Sequence, residues 1–178
     1  IDVAWVNERI FLCASVIGLY PEFATARETL RGDRRWNRYF HLLASLWRAW
    51  VGYPLLQLHI SAGPEQRDLA TRALAVTNNP VQPGDQTLVT RPRLDLGQLA
   101  VYMDRRRSRL GMVELSLELL LGTWHRNPLM ETLVSERLSM TMKRQRRLTV
   151  MNDGELTRLR PPLHYRIEPA ALKVLIPP

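Results

Sequence analysis

The 178-residue sequence contains a single cysteine, Cys13. One thiol excludes a disulfide within the chain and a zinc site built on several cysteines, and it is typical of a reducing compartment. Because Cys13 follows Phe11 and Leu12 in an apolar stretch, we expect a small core residue rather than a nucleophile. The sequence also lacks a run of about 18 apolar residues, so no membrane-crossing helix is predicted.

Glycine is sparse and scattered, with nine residues in the chain. None of them forms a Gly-x-Gly-x-x-Gly or Gly-Lys-Ser phosphate loop, and no Gly-x-Ser-x-Gly motif supports a hydrolase. The histidines show no metal-ligand spacing, so we expect structural roles for all of them: His41, His59, His125 and His164.

Lysine is almost missing: the 25 basic residues include only Lys143 and Lys173, and the rest are arginines. Arginine binds phosphate in a bidentate manner, so the net charge of +8 suits a protein that handles phosphate or faces an anionic membrane. A nucleic-acid binder with salt-dependent affinity is a hypothesis based on charge alone. Since no nucleic-acid motif is present, we expect no nucleic-acid partner. The single thiol favours a cytoplasmic protein, either free or peripheral at the inner face of the membrane.

The residues that are present predict many short strands separated by turns. With 46% hydrophobic and 24% charged residues, the chain is typical of a globular domain. The predicted fold is mainly β, an antiparallel β-sandwich with two appended helices, in one domain spanning residues 1–178. The predicted strands are a pair within residues 2–12, then 55–60, 69–77, 99–103, 132–142, 147–151, 163–167 and 172–176. Because the chain opens on Ile1 in a strand-like segment, we expect a longer protein.

Two stretches have helical periodicity. Residues 36–50 place aromatic and apolar residues three and four positions apart, which favours a core-packing helix or one that lines an acyl-chain pocket or contacts a membrane surface. The second helix is predicted over residues 108–122, with Ser108 as its N-cap. One face of this helix is apolar and holds Leu110, Val113, Leu117, Leu120 and Leu121.

The segment Asn152, Asp153, Gly154, Glu155 places two carboxylates on a turn after an apolar strand. An Asp-Gly pair is typical of a hairpin turn, which is one interpretation. The other is a carboxylate held at the rim of a cleft, where it acts as a general base or a magnesium ligand.

The order of four motifs resembles the C-terminal domain of the diacylglycerol kinase catalytic family, which includes bacterial lipid kinases and the sphingosine kinases. These motifs are residues 1–3 with 11–18, residues 75–80 ending in Asn-Asn-Pro, residues 93–102 with Leu-Asp-x-Gly, and residues 152–155 followed by 172–177. The resemblance implies the substrate-binding half of an ATP-dependent lipid kinase that phosphorylates a diacylglycerol-like hydroxyl. It implies ATP and Mg²⁺ as cofactors and a separate nucleotide-binding domain with a Gly-rich loop.

The resemblance also has implications for the activity of this chain alone, for its binding partners and for the class of lipid substrate. We expect this chain alone to be inactive, with peripheral membrane contact and a homodimer as possible associations. Glu22 is present, but Ala24 stands where the sphingosine kinases use an acid, so a neutral glycerolipid is favoured. The alternative is a non-catalytic module that binds lipid or a membrane surface.

Residue roles follow from the same resemblance. Asp153 is the expected base or magnesium ligand, and Glu155 is its companion. Asp95 is the other expected magnesium ligand, although Leu96 replaces a second acid of the family.

The resemblance assigns nucleotide contacts to two further groups. Asn78 and Asn79 orient the nucleotide or substrate, or else they cap a strand end. Arg31 and Arg35 fall where nucleotide-phosphate arginines are expected, together with Arg34 and Arg38.

Overall fold

The computed structural model describes residues 1–18, 21, 54–83, 89–108, 110–121, 123–143 and 147–175. The strands in these ranges are β1 (Val3–Val6), β2 (Arg9–Phe11), β3 (Ala14–Gly18), β4 (Leu56–Ala62), β5 (Glu65–Thr71), β6 (Ala73–Asn78), β7 (Gln82–Pro83), β8 (Val89–Thr90), β9 (Leu99–Asp104), β10 (Met130–Ser135), β11 (Arg137–Met142), β12 (Leu148–Asn152), β13 (Glu155–Leu159) and β14 (Leu163–Glu168).

The strands form two six-stranded antiparallel sheets. Sheet A has the order β2-β1-β14-β11-β4-β5, and sheet B has the order β10-β9-β6-β3-β12-β13. Strands β7 and β8 form a separate short ribbon. The predicted fold class, a mainly β structure with antiparallel sheets in a sandwich, is confirmed.

The core lies between the inner faces of the two sheets. Side chains alternate along each strand, so every second residue turns inward and loses its contact with water. One continuous apolar cluster joins both sheets and includes Val6, Phe11, Ile60, Met140 and Leu163 from sheet A and Ile17, Leu74, Val76, Val101 and Val150 from sheet B. Burial of this cluster is the main favourable contribution to folding.

The predicted strand over residues 69–77 is wrong as one element, because the chain changes sheets within it. Strand β5 ends at Thr71 in sheet A, and β6 begins at Ala73 in sheet B. The buried Thr71 hydroxyl fixes this corner: its oxygen lies 2.7 Å from the carbonyl oxygens of both Ala73 and Asp104, and its single proton is donated to one of them. The prediction over residues 132–142 fails in the same way, since β10 and β11 lie in different sheets and are separated by Glu136.

The C-terminal strand prediction over residues 172–176 is also wrong for the residues that are described. Residues 172–175 form no strand, and residue 176 lies outside the described ranges. Leu172 only exchanges two backbone hydrogen bonds with Ile1, at 2.6 and 3.0 Å. Strand β13, which pairs with β12 along its full length, was not predicted.

One of the two predicted helices is described. Helix α1 (Leu110–Leu120) begins after Ser108, whose hydroxyl accepts a hydrogen bond from the Gly111 N–H at 3.0 Å, so the predicted N-cap is confirmed. A 3₁₀ turn (Trp124–Arg126) follows it. The helix predicted over residues 36–50 lies outside the described residues. Within the described ranges, no helix is long and apolar enough to cross a membrane.

Helix α1 turns much of its apolar stripe outward. Met112 and Leu115 are buried on Ala73 and Met130. The predicted apolar face instead contacts solvent, with Leu110 69%, Val113 46%, Leu117 53% and Leu121 66% exposed. These four residues of the predicted apolar face therefore do not pack on the core.

Candidate functional site

Several strand ends of sheet B meet at one end of the sandwich. Strand β3 begins there, β6 ends, β9 begins, and the β12–β13 hairpin turns. The register that aligns them pairs Ser15 with both Val76 and Asn152, and pairs Asn78 with Leu99. Helix α1 follows the other end of β9, so it leaves from the opposite end of the sandwich.

The hairpin at this end has a two-residue turn. Asn152 pairs with Glu155, and the two residues between them have positive φ angles, 49° at Asp153 and 92° at Gly154. Aspartate and glycine tolerate this left-handed backbone, and such turns match the twist of paired strands. The hairpin interpretation of the sequence is therefore confirmed, and it also fixes where the Asp153 side chain lies.

The Asp153 carboxylate binds the turn between β2 and β3. Its Oδ2 accepts a hydrogen bond from the N–H of Leu12 at 2.6 Å, and its Oδ1 accepts from Cys13 at 2.8 Å and Ala14 at 2.9 Å. The Asp153 N–H donates to the Ala14 carbonyl at 2.9 Å. A carboxylate oxygen accepts about two hydrogen bonds. One acceptor position therefore remains on Oδ2 of this exposed side chain.

Two side chains near Asp153 were also considered from the sequence, the Cys13 thiol and the Glu155 carboxylate. Cys13 is exposed, so the prediction of a buried core thiol is wrong. The residue lies in the turn whose N–H groups bind Asp153, and not on the inner face of a strand. Glu155 is exposed at the start of β13 and makes no side-chain hydrogen bond to a described residue. Its role as a companion acid stays a prediction.

Asn78 and Asn79 are buried in a hydrogen-bond network at the end of β6. The Asn78 amide donates to the carbonyls of Asp2 at 2.8 Å and Leu12 at 3.3 Å. The Asn79 amide donates to Asp2 Oδ2 at 3.0 Å and Asn78 Oδ1 at 3.1 Å, and its oxygen accepts from Leu96 N–H at 3.0 Å. The structure shows these strand-end contacts, and the orientation of a nucleotide or substrate by these two residues stays a prediction.

Asp2, which the sequence did not single out, is the centre of this network. Its side chain is almost fully buried and accepts from the N–H groups of Gly97 at 2.7 Å and Ala170 at 2.8 Å, in addition to Asn79. Burial, the largest influence, raises the pKa of Asp2, but hydrogen bonds from Ala170, Gly97 and Asn79 outweigh it, and the pKa is lowered overall.

Asp95 is exposed and bound to an arginine. Arg93 donates to both of its carboxylate oxygens, at 3.0 and 3.1 Å, and this hydrogen bonding lowers the pKa of Asp95. A magnesium site needs carboxylate oxygens without competing cations. Arg93 binds the Asp95 carboxylate and three backbone N–H groups bind that of Asp153, so neither carboxylate is without partners, and magnesium binding by this pair stays a prediction.

The histidines and the arginines expected to bind phosphate are the other residues considered from the sequence. Within the described ranges, no group of three or more histidine, cysteine or acidic side chains could hold a metal ion. His59 is paired with Asp68, with 2.9 Å between Nδ1 and Oδ1. Arg31 and Arg35 lie outside the described residues, as do Arg34, Arg38 and His41.

Comparison with known proteins agrees with this architecture. Residues 24–176 match the family described as the YegS C-terminal NAD kinase beta sandwich-like domain. Three similar solved structures come from Bacillus anthracis str. Sterne, and each is assigned as a diacylglycerol kinase. Their TM-scores are 0.60, 0.54 and 0.55, their sequence identities 15%, 12% and 14%, and they cover 95%, 94% and 95% of this chain.

Low sequence identity and partial coverage limit what can be inferred from these structures. At these identities the likeness shows the fold. This chain covers 54%, 50% and 52% of the three matched chains, so it spans about half their length.

Proposed function

This chain belongs to the family of YegS C-terminal NAD kinase β-sandwich-like domains, and we propose from this premise that it is the substrate-binding domain of an ATP-dependent lipid kinase. The phosphoryl group would pass from ATP to a hydroxyl of a diacylglycerol-like lipid. The likeness to structures assigned as diacylglycerol kinases supports this substrate class. The product would be a phosphomonoester of the lipid.

The observation that carries the proposal is the position of the Asp153 carboxylate. It lies at the end of the sandwich, exposed, with one acceptor position remaining on Oδ2. In our proposal this position accepts the proton of the lipid hydroxyl. Phosphoryl transfer depends mainly on positioning and charge stabilisation, so one oriented carboxylate suffices as the base.

The three backbone donors orient the base. Leu12, Cys13 and Ala14 hold the carboxylate by hydrogen bonds of 2.6 to 2.9 Å, so little reorganisation is needed when the hydroxyl arrives. Glu155, on the next strand and without such donors, is proposed as a secondary acid that influences the field around the lipid hydroxyl. Substitution of Glu155 should therefore reduce the phosphorylation rate less than substitution of Asp153.

ATP would be bound by a part of the kinase outside this chain, since the sequence has no Gly-rich phosphate loop. Mg²⁺ would accompany the ATP phosphates, because Asp95 and Asp153 are already compensated by N–H donors. The 178-residue chain alone is therefore expected to show no lipid phosphorylation.

The test is an ATP-dependent assay of a full-length kinase that contains this chain, against a panel of neutral and charged lipids. We expect activity toward a diacylglycerol, a loss of about a hundredfold or more in Asp153→Ala, and a smaller loss in Glu155→Gln. Wild-type rates in Asp153→Ala, with the melting temperature confirming a folded variant, would remove the base assignment.

A second candidate function has its own supporting observation. The outward apolar face of α1 suits a non-catalytic module that binds a membrane surface, and the exposed Arg107 precedes the helix. Exposed apolar patches often mark binding sites, and arginines next to them attract anionic lipids. In this case lipid vesicles would bind the chain, and Asp153→Ala would not change the binding.

A further inference from the structure

Arg91 is a guanidinium held in place beside the candidate site. Its Nη1 donates to the carbonyl oxygen of Leu12 at 2.6 Å and to that of Asn78 at 3.4 Å. The side chain is half-buried, so its direction is fixed by the strand ends that it touches. Such fixing reduces the conformational entropy that a bound ligand would otherwise have to remove.

This guanidinium has no carboxylate partner among the described residues. Two other arginines that are at least partly buried do have one: Arg106 is 2.6 Å from Glu118, and Arg166 is 3.3 Å from Glu168. Neither Nε nor Nη2 of Arg91 donates to a described residue. A partly buried positive charge without a counter-charge is unfavourable, and an anion that pairs with it is correspondingly favoured.

Arg91 and Asp153 bind the same residue from two sides. The N–H of Leu12 donates to Asp153, and its carbonyl accepts from Arg91. The two charged groups are nevertheless not within ion-pair distance of each other, so each keeps its capacity for a ligand. The N–H groups of Leu12, Cys13 and Ala14 are already bound to Asp153, so these three described residues offer no backbone donor to an anion, whereas the Arg91 guanidinium does.

We propose that Nε and Nη2 of Arg91 bind a phosphoryl group at this end of the sandwich. A guanidinium matches two phosphate oxygens with two parallel hydrogen bonds. The site rests on geometry alone, but the source of the phosphate rests on the proposed function: either the nucleotide or the phosphorylated lipid product. In both cases the phosphate lies next to the carboxylate that accepts the hydroxyl proton.

The test uses the 178-residue chain and inorganic pyrophosphate as the probe. The Nε–Hε resonance of Arg91 in nitrogen-edited NMR spectra should shift in a saturable way. Arg91→Gln should weaken binding by about tenfold, because two charge-assisted hydrogen bonds are lost. Arg93→Gln is the matched control: it removes the same charge two residues away, from a guanidinium already bound to Asp95, and should weaken binding by less than about twofold.

Equal weakening in the two variants, or an Arg91 resonance that does not move, would overturn the site. Melting temperatures of both variants separate loss of binding from loss of fold, and Arg91→Lys should recover only part of the affinity, since an ammonium is not bidentate. Two further probes identify the source. A non-hydrolysable ATP analogue competing with pyrophosphate indicates the nucleotide, and a short-chain phosphatidic acid indicates the lipid product.

The result does not depend on kinase activity. If the full-length kinase fails to phosphorylate any lipid while the Arg91 resonance still shifts, the phosphate site stands and the proposed function fails. If lipid phosphorylation is found while Arg91→Gln binds pyrophosphate as tightly as wild type, the proposed function stands and the Arg91 site fails.

Discussion

Leu12 and Asp153 lie 141 residues apart in the sequence, and the Leu12 N–H donates to the Asp153 carboxylate at 2.6 Å. This contact joins the turn between β2 and β3 to the hairpin between β12 and β13. The same carboxylate that we propose as a base therefore also holds the end of sheet B together. Its two roles require separate measurements.

The structural role of Asp153 is tested by unfolding in urea. Asp153→Ala leaves three backbone N–H groups without their acceptor, and we expect a loss of about 1–3 kcal/mol in the free energy of unfolding. Glu155→Ala, which removes an exposed acid two residues away, should change it by less than about 0.5 kcal/mol. Amide resonances of Leu12, Cys13 and Ala14 should move only in the first variant. Equal free energies of unfolding in the two variants would contradict this structural role of Asp153.

Asp2 should make stability depend on acid pH. Folding lowers its pKa, so its ionised form is favoured in the folded chain, and the contribution is fully present above the unfolded value of about 3.9. The contribution is lost as the pH falls through the lower folded pKa. The measurement is urea unfolding of wild type and Asp2→Asn between pH 7 and pH 2.5.

The difference in unfolding free energy between these two proteins should be constant above about pH 5 and should shrink below about pH 4. Taking the difference also removes the effect of Asp104, whose pKa burial raises and which acts in the opposite direction. A difference that stays constant to the lowest pH contradicts the assigned shift.

Glu118 stabilises a buried arginine under helix α1. It accepts from Arg106 Nη2 at 2.6 Å and from Asn127 at 2.6 Å, and the Arg106 side chain is only 6% exposed. Glu118→Ala leaves this guanidinium buried without that carboxylate, so we expect a loss of about 3 kcal/mol in the free energy of unfolding. Glu114→Ala, at an exposed acid 3.7 Å from the same guanidinium, should lose less than about 0.5 kcal/mol. Similar losses of stability in Glu118→Ala and Glu114→Ala would contradict the role of Glu118 as the main partner of Arg106.

The two faces of α1 should respond differently to substitution. Leu115→Ala creates a cavity against Ala73 and Met130, and we expect a loss of about 2–4 kcal/mol in the free energy of unfolding. Leu117→Gln, on the outward face, should change it by less than about 0.5 kcal/mol. If α1 contacts a membrane, Leu117→Gln should also reduce sedimentation with anionic vesicles. A large stability loss in Leu117→Gln shows instead that this face is packed.

The sequence predicted the strands over residues 55–60, 99–103, 147–151 and 163–167, but it did not predict where the chain passes from one sheet to the other. Leu69 and Thr71 face the core before the corner at Arg72, and Leu74 and Val76 face it afterwards. The inward positions thus change from odd to even numbers, and this change of phase is the signal of the corner. An apolar run alone does not show it, because both halves bury their side chains in the same core.

The site was predictable where it is local in sequence. The Asp-Gly pair identified the hairpin, because turn geometry depends on the residues that form it. The partners of Asp153 are distant in the chain, and no local pattern indicates which N–H groups a carboxylate will meet. Asp2 gave no signal for the same reason, since its partners Asn79, Gly97 and Ala170 come from three separate segments.

The most direct measurement of the proposed base is chemical rescue of lipid phosphorylation in the full-length kinase. Asp153→Ala should be slower than wild type by about a hundredfold or more, and added formate should restore part of the rate by acting as the missing carboxylate. Formate should leave wild type and Glu155→Gln unchanged. An Asp153→Ala protein that is folded, slow and insensitive to formate, or one as fast as wild type, contradicts a proton-accepting role for this carboxylate.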